Sequence, residues 1–153
     1  MLTKVRTLLE KREFISVATS DKQGKPNAAP KFILKLDGNF IYLVDYTMGR
    51  TYANLKANPQ ISLSFMDTES LAGYQVNGAA GLIESGPEYE KICAEVLTRE
   101  VGLSARRIIE GVAREKKHHN FEVAIRDTVV IIKVEINEVI EIGPSGTVAR
   151  HQV

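Results

Sequence analysis

The chain has 153 residues, a formal net charge of +1 and a single cysteine. This length suits one domain, residues 1–153, and 44% hydrophobic with 25% charged residues are ordinary globular values. A charge so close to zero gives no general attraction to nucleic acid or to a membrane, and one cysteine excludes an internal disulfide. No apolar run reaches the length of a membrane span, and the amphipathic start does not resemble a signal peptide, so we expect a cytoplasmic protein.

The first half of the sequence predicts a helix followed by a meander of three strands. Apolar residues at helical spacing near the start give the helix one buried stripe. Residues of β-branched and aromatic type then predict strands at 14–19, 28–36 and 40–45. Asp37-Gly38 is a strong two-residue hairpin signal between the second and third strands. Short turns between consecutive strands favour antiparallel pairing.

The middle of the sequence predicts a short helix and two further strands. Pro59 ends the helix, and strands follow at 60–66 and 74–84. Gly78 and Gly81 interrupt the second of these strands. Glycines inside a strand often mark a bulge, a bend or the close approach of another group.

The remainder predicts two helices and a last strand. The helices are expected at 88–99 and 104–117, separated at Gly102, and the strand at 128–142. The tail after Gly143-Pro144 is expected to be loose. Six or so strands with helices set between them, instead of alternating strand and helix units, favour an antiparallel α+β barrel.

The segment that joins the third strand to the short helix is the best indication of function. It reads Thr47-Met48-Gly49-Arg50-Thr51, and Gly49 can adopt the angles of a tight turn. Arg50 and Thr51 fall in the first helical turn, where backbone N–H groups have no intrahelical partner and the helix dipole adds positive charge. An arginine, a hydroxyl and free N–H groups at one point favour a phosphate. The alternative is an ordinary turn with a solvated arginine.

Lys31 and Lys35 lie four residues apart on the second strand, so their spacing predicts that they share one face. If that face lies near Arg50, the two lysines would complete an anion pocket. A solvated barrel face is the alternative.

Other candidate sites in the sequence are weaker. Adjacent residues such as His118-His119 point in different directions on a strand or a helix, so we predict no metal site there. The lysines and arginines between 99 and 117 alternate with glutamates, which is typical of a solvated helix face and not of a nucleic-acid surface. No nucleophile motif, P-loop or dinucleotide-binding loop is found, and we name no catalytic side chain.

The order of these pieces resembles the pyridoxamine 5'-phosphate oxidase-like family, the FMN-binding split barrels. The resemblance rests on three linked blocks: FISVATSDKQGKPNAAPKFILKLDG, FIYLVDYTMGRTYANLKANPQISLSF and GYQVNGAAGLIES. It covers about residues 14–84 and the last strand. It implies a mainly β member of the α+β class, an antiparallel split β-barrel with peripheral helices, and a homodimer with two FMN sites at its interface.

The resemblance assigns FMN contacts to ten residues: Lys31, Phe32, Ile33, Lys35, Val44, Asp45, Gly49, Arg50, Thr51 and Gln75. The first four belong to the block beside the isoalloxazine ring, and its last lysine helps to hold the phosphate. The next two match positions beside the ribityl chain. The three that follow match the family's Ser-Arg-Lys phosphate motif, and the glutamine approaches the flavin from the partner subunit.

The chain also departs from the family pattern. Gly49 replaces a hydroxyl and Thr51 replaces a lysine, while Arg50 is kept. The chain has no tryptophan, so vitamin B6 oxidation is not expected. The resemblance therefore implies an FMN-dependent oxidoreductase that acts on a small-molecule redox substrate, with the flavin supplying the redox chemistry. The alternatives are a flavin-binding or storage module without turnover, and haem or deazaflavin binding on the same fold.

Overall fold

The structure is a computed structural model that describes residues 1–113 and 128–153. The elements of the described residues are, in chain order, α1 Leu2–Glu10, β1 Phe14–Ser20, β2 Pro26–Asp37, β3 Phe40–Asp45, α2 Arg50–Ala57, β4 Gln60–Asp67, β5 Ala72–Ile83, α3 Pro87–Ala113, β6 Val130–Ile142 and β7 Val148–Gln152. All six strands expected from the sequence are present, and their ends differ from the predicted ones by two residues at most.

Six of the strands close into an antiparallel barrel. The sheet order is β3-β2-β1-β4-β5-β6-β7, and a further pairing between β3 and β6 completes the ring. All of the pairings are antiparallel. Among the described strands β7 pairs with β6 alone, so it extends the sheet outside the ring. The antiparallel barrel expected from the sequence is therefore confirmed.

The hydrophobic core fills the barrel because alternate residues of each strand point inward. Helix α1 adds Val5 and Leu9 to the same core, both completely buried, as their helical spacing predicts. The helix is also tied to the barrel by an ion pair of 2.6 Å between Lys4 Nζ and Glu141 Oε1. The same carboxylate oxygen accepts a hydrogen bond of 3.0 Å from the Tyr74 hydroxyl.

The two glycines of β5 differ in their surroundings. The β5–β6 register shifts between Asn77 and Gly78, so Gly78 lies at a bulge. A Cβ built on Gly78 would overlap the carbonyl oxygen of Glu135 on β6, whereas one built on Gly81 meets no described atom within 4 Å. The close approach expected for a strand glycine is confirmed for Gly78. At Gly81, none of the described atoms lies close enough to exclude a side chain.

The break predicted at Gly102 is wrong, because α3 continues through it for 27 residues in all. Glycine in a helix interior costs only about 1 kcal/mol relative to alanine, which a long helix tolerates. The chain divides into two compact units: residues 1–84 with 129–153, which form the barrel, and residues 85–128, whose described part contains α3. The expectation of one domain stays a prediction. His118-His119 and the predicted helix end at 117 lie outside the described residues.

The sequence predicts a loose tail, and this prediction is wrong. Strand β7 pairs with β6 over its whole length. The turn that returns the chain is closed by a hydrogen bond of 2.8 Å from Gly143 N to Thr147 O. Gly146 in that turn has φ +79°, a backbone conformation that favours glycine. The Gly-Pro dipeptide therefore marks a hairpin turn and not the end of the ordered chain.

Candidate cofactor site at the start of helix α2

Helix α2 begins directly after β3, with Gly49 as its N-cap residue and no hydrogen bond from a capping side chain. No acidic residue lies in its first turn. The first N–H groups of the helix therefore have no partner within it, and no acidic side chain of the first turn neutralises the positive end of the helix dipole. Arg50 is exposed at this point, and none of the described side chains pairs with its guanidinium. The arrangement can accept an anion.

A buried ion pair lies beneath this turn. Lys31 is 6% exposed and Asp45 is fully buried, and 2.8 Å separates Lys31 Nζ from Asp45 Oδ1. Lys31 faces inward, since it lies opposite Ile15 of the core. Burial raises the pKa of the Asp45 carboxyl, but the hydrogen bonds from Lys31 and Thr47 outweigh burial and hold this pKa below its ordinary value of 3.8. The carboxyl is therefore charged at neutral pH.

The Asp45 carboxylate also organises the turn. Its Oδ1 accepts hydrogen bonds from Thr47 N at 3.0 Å, Thr47 Oγ1 at 2.9 Å and Met48 N at 3.3 Å. Within the part of the chain that the structure describes, its Oδ2 is buried without a donor. Thr47 was not among the residues assigned from the sequence. An aspartate whose carboxylate binds backbone N–H groups two and three residues on is a recognised turn pattern, and that signal could have identified Thr47.

Thr51 faces the barrel and not the solvent. Its side chain is 2% exposed, and its Oγ1 accepts a hydrogen bond of 3.1 Å from Asn27 Nδ2. One turn later, Asn54 Nδ2 donates to Thr19 Oγ1 at 3.1 Å. These two bonds fix α2 on β1 and β2. Thr51 therefore offers its backbone N–H, not its hydroxyl, to a ligand at the helix start.

The β2 residues assigned to the ring face different ways. Ile33 lies opposite Leu43 and belongs to the barrel core, so its side chain is directed inward. Phe32 lies opposite Val44, and its ring contacts Phe14 edge to face at a centroid distance of 5.8 Å. Both Phe32 and Val44 are nearly inaccessible to solvent. The side chain of Ile33 is therefore not placed to reach a ligand on the outside of the barrel.

The expectation that Lys31 and Lys35 share a face is wrong. The β2–β3 register shifts between Ile33 and Lys35, and this bulge reverses the alternation of side chains. Lys35 consequently lies opposite Tyr42 on the outer face, with its Nζ 5.1 Å from the centre of that ring. Lys31 lies inside the wall, so the two lysines do not form one pocket.

Gln75 lies apart from the other assigned residues. It is on the outer face of β5, and β1 and β4 separate β5 from β2 in the sheet. Gln75 Nε2 donates to Ser62 Oγ at 3.1 Å and to Asn77 Oδ1 at 3.0 Å. A shallow pocket of about 390 Å³ adjoins these groups and is lined by Ala18, Thr19, Ser20, Gln60, Ile61, Ser62 and Asn77. None of the contacts among the described residues joins Gln75 to the start of α2.

An exposed apolar row crosses the outer face of the sheet. Directly opposite residues of antiparallel strands share a face, and the register aligns Met66 with Gly73, then Ile142, then Val148. Phe14 continues the row on β1. Ser16 pairs with Ser64, so the antiparallel register sets Phe14, two residues before Ser16, opposite Met66, two residues after Ser64. We call Phe14, Met66, Gly73, Ile142 and Val148 the apolar row. Its four large side chains are between 41% and 58% exposed.

Residues 1–113 and 128–153 contain no group of three or more histidine, cysteine, aspartate or glutamate side chains placed to hold a metal ion. Of the three described helices, none combines the length and apolar character that crossing a membrane requires.

The sequence and the structure both match known proteins. The family model described as pyridoxamine 5'-phosphate oxidase matches residues 1–141. The structure is similar to a Clostridium acetobutylicum protein related to general stress protein 26 of B. subtilis, with 19% identity, a TM-score of 0.70, and 99% of this chain and 94% of that chain covered. A comparison of the sequence with curated proteins gives no match.

Two other similar structures differ in what they bind. An FMN-binding, pyridoxamine 5'-phosphate oxidase-related protein from Nostoc punctiforme has 11% identity and a TM-score of 0.62, with 99% of this chain and 95% of that chain covered. A haem-binding protein from Mycobacterium smegmatis has 17% identity and a TM-score of 0.64, with 97% and 56% covered. An F420 reductase is also similar. At such identities these likenesses establish the fold, the split barrel of this family.

Proposed function

Because the chain belongs to the pyridoxamine 5'-phosphate oxidase family, we propose that it binds FMN and acts as a flavin-dependent oxidoreductase on a small-molecule redox substrate. The observation that carries the proposal is the start of α2. There an exposed arginine, unpaired among the described residues, lies beside N–H groups that no side chain caps. A phosphate monoester satisfies such donors through charge-assisted hydrogen bonds.

The residues at this point fit the phosphate of FMN. Gly49 has no side chain to obstruct an approaching oxyanion, Arg50 supplies the charge and a planar fork of donors, and Thr51 supplies a backbone N–H. The backbone of Phe32 and Ile33 would run beside the ring, and FMN, when bound, would supply the electron transfer. The contacts assigned to Lys35, Val44 and Gln75 stay predictions, as does the cytoplasmic location.

Replacement of the arginine tests the phosphate site directly. A charge-assisted hydrogen bond contributes about 1.5–3 kcal/mol, so Arg50→Ala should weaken FMN binding by about tenfold to a hundredfold. Titration of the apoprotein, followed by quenching of flavin fluorescence, measures the dissociation constant. Lys22→Ala, on the exposed β1–β2 turn, is the matched control that removes a cation elsewhere. Equal affinity of Arg50→Ala and Lys22→Ala would place the phosphate at another site.

The apolar row supports the proposal that the protein is a homodimer with FMN at the interface. A contiguous set of large exposed apolar side chains on one face is typical of a protein–protein contact. A two-fold axis would set the same face of each copy against the other. Gln75 lies on this outer face, with β1 and β4 between its strand and β2, so the flavin contact assigned to it would come from the partner subunit.

We expect Met66→Lys to dissociate the dimer, because it would bury an ammonium in the middle of the apolar row. Gln23→Lys, an exposed change in the β1–β2 turn, should leave the dimer intact. Light scattering coupled to size-exclusion chromatography gives the molar mass of each variant. A dimer that survives Met66→Lys unchanged would move the interface away from this row.

The absorbance spectrum of the freshly purified protein tests the cofactor. Two bands in the flavin region that shift to free FMN on denaturation would support the proposal. Haem is the second candidate, favoured by the similarity to the haem-binding protein from M. smegmatis, and it would give a Soret band instead. A deazaflavin, favoured by the similarity to an F420 reductase, would give a single band at shorter wavelength than FMN.

Steady-state oxidation of NADH or NADPH by the yellow holoprotein separates an enzyme from a storage module. An oxidoreductase should turn over when a suitable acceptor is present. Tight FMN binding with no reduction by any donor would instead favour the module without turnover.

A further inference from the structure

One buried carboxylate holds the whole turn that leads into α2. Asp45 Oδ1 receives four donors, two from Thr47, one from Met48 and one from Lys31. Met48 in this turn has φ +46°, a left-handed conformation that side chains other than glycine rarely adopt. Such a conformation persists only where the surroundings impose it, and here the hydrogen bonds to Asp45 restrain the turn.

Lys31 is not available as a direct ligand. It is 6% exposed, and its Nζ donates to Asp45 Oδ1 at 2.8 Å and to Thr47 Oγ1 at 3.3 Å. The Thr47 hydroxyl thus touches both members of the ion pair and links the pair to the turn. Both of these hydrogen bonds direct the Lys31 ammonium to the turn and not to solvent.

We propose that Lys31 and Asp45 are positioning residues, which fix the turn at 45–49 so that Arg50 and the first N–H groups of α2 converge on the phosphate. The inference rests on the proposed function, because the phosphate site in question is the one proposed at the start of α2. It reassigns two residues from contact with the cofactor to support of the group that makes the contact.

The charge of the Lys31–Asp45 pair explains why a carboxylate, and not a neutral side chain, holds the turn in place. A carboxylate accepts stronger hydrogen bonds than a neutral amide, and the Lys31 ammonium keeps the carboxylate charged inside the barrel wall. A neutral side chain at position 45 would therefore hold Thr47 and Met48 more weakly. The left-handed residue would then relax, and the helix start would lose its fixed position relative to the phosphate.

Comparison of FMN with riboflavin isolates this role, because riboflavin lacks the phosphate. We expect Asp45→Asn to weaken FMN binding by about tenfold and to leave riboflavin binding unchanged. Glu141→Gln is the matched control, since it makes the same change from carboxylate to amide at the ion pair with Lys4. It should alter neither affinity. Fluorescence titration of the wild type and of both variants, each with FMN and with riboflavin, gives six dissociation constants.

Thr47→Val provides a second variant that keeps both charges, so it is expected to fold even if Asp45→Asn does not. It should weaken FMN binding by about threefold, again without effect on riboflavin. An equal loss of both flavins in either variant would overturn the proposal, since it would indicate a direct contact with the rest of the cofactor or a general loss of structure. Unchanged FMN binding in both variants would overturn it as well. A wild-type protein that binds neither flavin would instead refute the proposed function, and this inference with it.

Discussion

Gly78→Ala should destabilise the protein by about 3 kcal/mol or more, because the added methyl group would overlap the backbone of the neighbouring strand. The overlapped atom is the carbonyl oxygen of Glu135, which belongs to the ladder of β6 and cannot rotate away as a flexible side chain would. The bulge that places Gly78 so close to β6 lies in the longest pairing of the barrel. Urea unfolding followed by circular dichroism measures the free energy of unfolding.

Gly81→Ala is the matched control, three residues along the same strand. A Cβ at that position meets none of the described atoms within 4 Å. We therefore expect the free energy of unfolding to stay unchanged or to rise by at most about 1 kcal/mol. Should both alanine variants unfold at the same urea concentration, the close approach at the bulge would be refuted. A Gly78→Ala protein that is recovered only as insoluble material would agree with a destabilisation larger than 3 kcal/mol.

Lys31→Met should destabilise the protein by about 3–5 kcal/mol, since it removes the partner of a fully buried carboxylate. The double variant Lys31→Met/Asp45→Leu should recover part of that loss, because no unpaired charge remains in the barrel wall. Thermal and urea unfolding of the two variants provide the comparison. A single variant no less stable than the double variant would mean that the unpaired Asp45 carboxylate is not what destabilises it.

The same substitution should also change how stability depends on pH. In the wild type the pKa of Asp45 is lower in the folded state, so its contribution is present above about pH 4 and is lost as the pH falls through the folded pKa. Without Lys31, burial raises that pKa, and the contribution of Asp45 is lost as the pH rises instead. The difference between wild type and variant should therefore be largest near neutral pH and shrink below about pH 4. A difference that is constant from pH 3 to pH 7 would contradict this account.

The strands could be predicted from the sequence because their signals are local. Alternation, β-branched residues and the Asp37-Gly38 hairpin each act within a few positions. The same is true of the helix that starts at Arg50. The features that were missed depend on pairing with another element. One is the pairing of β7 with β6, the strand just before it, since nothing in the segment 148–152 alone distinguishes it from a loose tail.

The site shows the same division between local and distant information. The start of α2 was predicted from five consecutive residues, and the structure places Arg50 in the first helical turn as expected, whereas the Thr51 hydroxyl is buried. The faces of Lys31 and Lys35 could not be predicted, because the alternation of side chains along a strand is interrupted at a bulge. The position of this bulge depends on the register with β3. The link between Lys31 and Asp45 joins two strands, so the spacing within either strand gives no sign of it.

The barrel closes through a pairing of β3 with β6, while the segment between β5 and β6 begins and ends on neighbouring strands, with Ile83 opposite Ile131. Because the two ends of this connection are held together by strand pairing, a change in its length has little effect on the free energy of folding. The entropy of closing a loop grows only logarithmically, by about 0.6 kcal/mol for each doubling of its length. The segment between β5 and β6 can therefore change in length while the barrel strands keep their pairing.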